Sequence, residues 1–119
     1  MIAFDSPREQ LLSLLPKECE SVDFGVIGIN GSGEVRIYNS FEAELAGLSP
    51  QRTVGRNLFE EVAPCMNNFM VAQRFQDEAR LDEYLDYVFT LKMAPRRVRL
   101  RLLASPGEAM RFVLVQPRP

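Results

Sequence analysis

Alternation at a period of two through the last third of the chain constrains the fold more than any other feature. Leu85, Tyr87, Phe89, Leu91 and Met93 alternate with Asp86, Val88, Thr90 and Lys92, and Val98, Leu100 and Leu102 alternate with Arg97, Arg99 and Arg101. Successive side chains on a strand point to opposite faces, so each run predicts a strand with one apolar face. Met93-Ala94-Pro95 interrupts the two runs, Ser105-Pro106-Gly107-Glu108 predicts a turn, and Met110 to Val115 predicts a closing strand.

Earlier in the chain, Val22 to Ile29 reads as a strand, Asn30-Gly31-Ser32-Gly33 as a turn, and Glu34 to Tyr38 as a second strand. Helical signals fill the middle. Asn39 can cap a helix from Ser40 to Ala46 that Gly47 ends in the left-handed conformation. Asn57 can cap a turn carrying Leu58, Phe59 and Val62, and Asn67 or Asn68 a helix with Val71, Ala72, Phe75 and Ala79 on one face. At the start, Ser6-Pro7-Arg8-Glu9 predicts a serine-capped amphipathic helix carrying Leu11, Leu12, Leu14 and Leu15, ended by Pro16. Such a helix must cover something, and one face of the sheet is the expected place. The order predicts an α+β fold: a five-stranded antiparallel sheet, short helices on one face, and an N-terminal helical cap. Residues 1–21 form the cap and residues 22–119 one unit.

Composition removes whole classes of function. The chain has no histidine and two cysteines, Cys19 and Cys65, which excludes imidazole-dependent triads and His-ligated metals, and two cysteines alone do not make a structural zinc site. No phosphate-cradling glycine loop is present. Neither an enzyme nor a metal protein is expected. A net charge of −2 argues against a nucleic-acid binder, and the absence of a long apolar run against a membrane partner. The sparse cysteines fit a reduced, cytoplasmic protein, expected as a monomer or weak dimer whose downstream partner the sequence does not name.

Three residues carry possible chemistry, each with a plain alternative. Cys65 follows Pro64 in the stretch Gly55-Arg56-Asn57-Leu58-Phe59-Glu60-Glu61-Val62-Ala63-Pro64-Cys65. Proline stops the preceding turn, so the thiol is expected on a loop, either as a small buried hydrophobe or as an attachment point. Tyr38 ends a strand, where it can pack in the core with a wet hydroxyl or face a pocket. Glu42 stands three residues after Asn39, the spacing of a capping box that would leave it in solvent, or it points inward beside Tyr38.

Tyr38-Asn39-Ser40-Phe41-Glu42 and Val54-Gly55-Arg56-Asn57-Leu58-Phe59-Glu60-Glu61-Val62-Ala63-Pro64-Cys65 closely resemble the photoactive yellow protein family, whose members have the PAS fold. The resemblance runs from Phe24 to Val115, needs no gap between Tyr38 and Cys65, and includes Phe24-Gly25 and the Met93-x-Pro95 spacing. It implies a blue-light photoreceptor carrying p-coumaric acid (4-hydroxycinnamate) as a thioester on Cys65. Its buried phenolate would accept hydrogen bonds from Tyr38 and from a protonated Glu42, with Ala46, Leu48, Leu58, Val62, Phe89 and Met93 lining the pocket. It further implies that photoisomerisation and proton transfer from Glu42 loosen the fold and release the N-terminal helix. Met93 would then tune recovery.

Departures from the family bear on tuning. Ala46 stands where a threonine is usual and Leu48 where an arginine is, while Leu58 replaces a phenylalanine and Leu91 a tyrosine. These imply altered absorption and recovery rather than lost binding. The alternative reading is a PAS sensory module that holds another small ligand, or mediates protein contacts, with no covalent pigment.

Overall fold

The computed structural model describes residues 2–90 and 95–118. Five strands, β1 (Gly25–Ile29), β2 (Val35–Tyr38), β3 (Leu81–Phe89), β4 (Arg96–Ala104) and β5 (Arg111–Pro117), form one sheet in the order β2-β1-β5-β4-β3. Every neighbouring pair is antiparallel. The helices α1 (Arg8–Leu12), α2 (Ser40–Ala46), α3 (Pro50–Thr53) and α4 (Ala72–Asp77) are all short, so they are held by packing rather than by intrinsic propensity.

The sheet has a core on each face. On β5, Val113 and Val115 join Ile27, Tyr38, Leu100 and Leu102 beneath the middle helices, whereas Phe112 and Leu114 join Phe24, Val26 and Leu103 on the opposite side. Alternation therefore sends apolar residues both ways, and every residue of β1 is buried. Phe4, Leu11, Leu12, Leu14 and Cys19 cover this second face. The expected cap over the sheet is present.

Its local construction differs from expectation. Ser6 does not cap α1: Pro7 occupies the N-cap position, and the Ser6 hydroxyl instead accepts from the Ala3 amide at 2.8 Å. The helix ends at Leu12, and a 3₁₀ turn over Glu18–Ser21 carries the chain to β1, which starts at Gly25 rather than Val22. Strand β3 begins at Leu81, ahead of the expected start. Leu91 and Met93 lie outside the described residues.

The alternating arginines Arg97, Arg99 and Arg101, which the period-two pattern puts together on the strand face opposite Val98, Leu100 and Leu102, do not share one environment. Arg101 is 3% exposed. Its Nε and Nη2 donate to the two carboxylate oxygens of Asp82 at 2.8 and 2.9 Å, and its Nη1 donates to the carbonyls of Phe4 and Ser6 at 2.9 and 2.6 Å. A guanidinium leaves water only where its donors are matched, and here the N-terminal main chain supplies part of the match. The Phe4 ring packs edge-on against Phe24 and Tyr84, with centroids 5.9 Å away in both cases. Arg97, by contrast, is exposed.

Candidate functional site

Tyr38 and Glu42 are brought inward by the junction between β2 and α2. Asn39 sits there in extended conformation and uses its whole side-chain amide. Its Oδ1 accepts from the Glu42 and Val26 amides at 3.1 and 2.9 Å, and its Nδ2 donates to the carbonyls of Cys19 and Phe24 at 2.9 and 3.0 Å. The first turn of α2 is thereby bound to β1 and to the N-terminal segment. The Ser40 amide adds a second tie by donating to the Glu20 carboxylate at 3.0 Å.

Asn39 completes only half of a capping box. The Glu42 side chain does not return to the helix start; it is 1% exposed, and its Oε1 has no hydrogen-bond partner among the described residues. Space for it comes from Gly25, where an added Cβ would lie 2.0 Å from Glu42 Oε1. Burial raises the carboxyl pKa from 4.5 to about 8, so the acid is largely un-ionised at neutral pH and able to donate. Tyr38 is 4% exposed, and burial, followed by the charge of Glu42, pushes its phenol well above the ordinary range.

Cys65 lies within a 3₁₀ turn, Pro64–Met66, not on a loop: Pro64 opens this second turn as well as ending the one before it. The preceding turn, Leu58–Val62, is capped by Asn57, whose Oδ1 accepts from the amides of Phe59 and Glu60. The main chain at Cys65 is fixed from β3. The Tyr87 hydroxyl donates to the Cys65 carbonyl at 2.5 Å, and Asn68 Nδ2 donates to that carbonyl at 3.1 Å and to the Tyr87 hydroxyl at 2.6 Å. The thiol is half-buried, whereas Cys19 is fully buried and its thiol is pushed up to about 11 by burial and by Glu20 and Glu18.

Tyr38, Leu58 and Phe89 belong to one apolar core, and Leu48, Val62 and Cys65 pack against it. Leu48 and Val62 also line a surface depression of about 400 Å³ with Arg52 and Thr53. Ala46 is buried on α2 but outside that core, and Met93 lies outside the described residues.

The PAS fold profile matches residues 14–113. The photoactive yellow protein of Rhodothalassium salexigens is 32% identical over 107 residues, spanning 86% of each chain. The chain belongs to the photoactive yellow protein family.

Another family member, from Rhodobacter capsulatus, is 30% identical over 115 residues, spanning 91% of this chain and 90% of its own. The photoactive yellow protein domain of the sensor histidine kinase Ppr from Rhodospirillum centenum matches with a TM-score of 0.81 and 34% identity, covering 92% of this chain and 99% of that one. The PAS domain of an HTR-like protein from Haloarcula marismortui, at 16% identity and a TM-score of 0.68, shares the fold. As a member of the photoactive yellow protein family the chain is a sensory PAS domain, and among its described residues no helix is long and apolar enough to cross a membrane.

Sequence reasoning did not assign Gly25, Asn68 or Tyr87 to the site. A glycine inside an apolar run is a signal of close approach, and Gly25 carries it. Asn68 and Tyr87 left no local signal, because their partner, the Cys65 carbonyl, carries no side-chain information.

Proposed function

We propose that this chain is a blue-light sensor that carries 4-hydroxycinnamate as a thioester on Cys65 and signals by releasing its N-terminal segment. The observation that carries the reading is the buried, unpartnered Oε1 of Glu42. An orphaned polar atom in a packed core is costly unless a ligand completes it. The donor chemistry fits a group that brings an anionic oxygen: an acid held neutral by burial and a phenol with a raised pKa stand beside one apolar core, and the half-buried thiol packs against it.

The bound group would supply light absorption, a light-driven change of shape and an ionisable phenolic oxygen. This chain's own residues supply the rest. Cys65 provides the attachment atom, and its main chain is held by Tyr87 and Asn68. Tyr38 and Glu42 donate hydrogen bonds, while Leu58, Val62 and Phe89 exclude water. Glu42 holds the mobile proton on its carboxyl. Loss of that proton leaves a buried carboxylate that no ion pair among the described residues neutralises, a state that favours loosening of α2. Asn39 and Glu20 pass such loosening to the N-terminal segment, because they join the start of α2 to Cys19, Phe24 and the 3₁₀ turn. A signalling protein would read the resulting shift in population.

Mixing the apoprotein with activated 4-hydroxycinnamate tests the assignment. A coloured, covalently labelled product is expected from the wild type and from Cys19→Ala, and none from Cys65→Ala. Labelling that fails in wild type favours a PAS module without a covalent pigment, and labelling that persists in Cys65→Ala overturns the assignment to Cys65.

A further inference from the structure

The outer face of the sheet is only half covered. The N-terminal segment packs over β1, β5 and the Leu103 end of β4, leaving open the far ends of β3 and β4. There Val88 stands opposite Arg97 in register and is 49% exposed. Met70, Tyr87, Val88, Arg97 and Arg118 line a groove of about 450 Å³. A second depression, of about 270 Å³, continues past Arg97 and Arg118 to Arg96 and Leu45. Met70 is 41% exposed and Phe69, its neighbour in the chain, 76%. Exposed apolar residues gathered beside a groove mark a contact surface.

Its charge is opposite to that of the chain as a whole. Arg118 is paired with Asp86 at 2.6 Å, and Arg99 lies over the Tyr84 ring at 4.6 Å. Arg96 and Arg97 have no carboxylate partner among the described residues. Arg97 and Arg118 thus line the groove with a single aspartate, Asp86, and Arg96 joins them in the second depression, in a protein of net charge −2. Strand β3 is also the last in the sheet, so its outer edge has no strand neighbour among the described residues.

We propose that this groove docks an extended acidic segment of a partner protein, with an apolar side chain over Val88 and Met70 and carboxylates on Arg96 and Arg97. Main-chain pairing along β3 would add an edge strand, and alternate side chains would then reach the groove. Nucleic acid suits the surface less well, because the apolar centre and Asp86 offer nothing to a phosphate backbone. A second copy docked two-fold would set this basic patch against itself. Tyr87 lines the groove while its hydroxyl donates to the Cys65 carbonyl, so an occupant touches the residue that fixes the Cys65 turn.

The test titrates the full chain into a fluorescein-labelled peptide of alternating glutamate and leucine, read by fluorescence anisotropy. Saturable binding is expected, weakened about tenfold or more by Arg97→Glu and by Val88→Asp, and retained by Arg97→Lys. Both positions are exposed, so thermal melts of the variants should match wild type. A matched lysine–leucine peptide should not bind. The proposal is overturned if the acidic peptide does not bind or binds Arg97→Glu equally well. It is overturned too if an oligothymidylate binds more tightly than the peptide, or if sedimentation shows self-association that Arg97→Glu abolishes.

Discussion

Glu42 Oε1 occupies the space that a Cβ on Gly25 would need, the two positions being 2.0 Å apart. The only residue type at position 25 that leaves the acid where it lies is therefore glycine. Gly25→Ala should destabilise the apoprotein by about 1–3 kcal/mol in urea denaturation, the usual range for overpacking. In a Glu42→Ala background the same substitution should cost much less, because the obstructing carboxyl is gone. Equal costs in both backgrounds would mean that the two residues do not share the space.

The same carboxyl makes stability depend on pH. Its folded pKa, about 8, lies above the ordinary 4.5, so the folded state holds a proton that the unfolded chain releases. That contribution is fully present below about 4.5 and is lost as pH rises through about 8, at roughly 1.4 kcal/mol for each pH unit of displacement. Apoprotein stability should fall across this window, and Glu42→Gln should flatten the profile. A wild-type profile that rises from pH 5 to 8 contradicts a buried neutral acid.

Arg101 should hold the N-terminal segment in place. Asp82→Asn leaves the buried guanidinium without its carboxylate, a loss of up to about 3–5 kcal/mol for a fully buried pair. The Asp82 side chain is 34% exposed, which lowers the expectation to about 1–3 kcal/mol. Trypsin should cleave after Lys17 faster in this variant than in wild type, whereas Arg97→Gln should leave the cleavage rate unchanged.

The two thiols should react at different rates. Cys19 is fully buried with its thiol raised to about 11, so a disulfide reagent applied to native apoprotein at pH 8 should modify one sulfur rapidly. Cys65→Ala should remove that fast phase and Cys19→Ala should keep it. Two fast equivalents in wild type would contradict the burial of Cys19.

Much of this arrangement was legible from local pattern. Period-two alternation marks β3 and β4, an apolar run after a turn marks β5, and Asn39, Gly47 and Asn57 mark helix ends by their own chemistry. What escaped depends on distant partners. A glutamate three residues after a cap can face solvent or point inward, and it is the missing side chain of Gly25, on β1, that leaves room for it inside. Arg97, Arg99 and Arg101 look alike in sequence; what buries Arg101 is the main chain at Phe4 and Ser6, near the other end of the chain. The Cys65 turn is held by Tyr87 and Asn68 through a backbone carbonyl, which no residue pattern displays.

The central claim is that Cys65 carries the pigment, and peptide mapping by mass spectrometry of the protein isolated from its own cells in the dark tests it most directly. The peptide containing Cys65 should bear a coumaroyl group that hydroxylamine removes, with the Cys19 peptide unmodified. A free thiol at Cys65 throughout the dark-isolated protein would contradict the account.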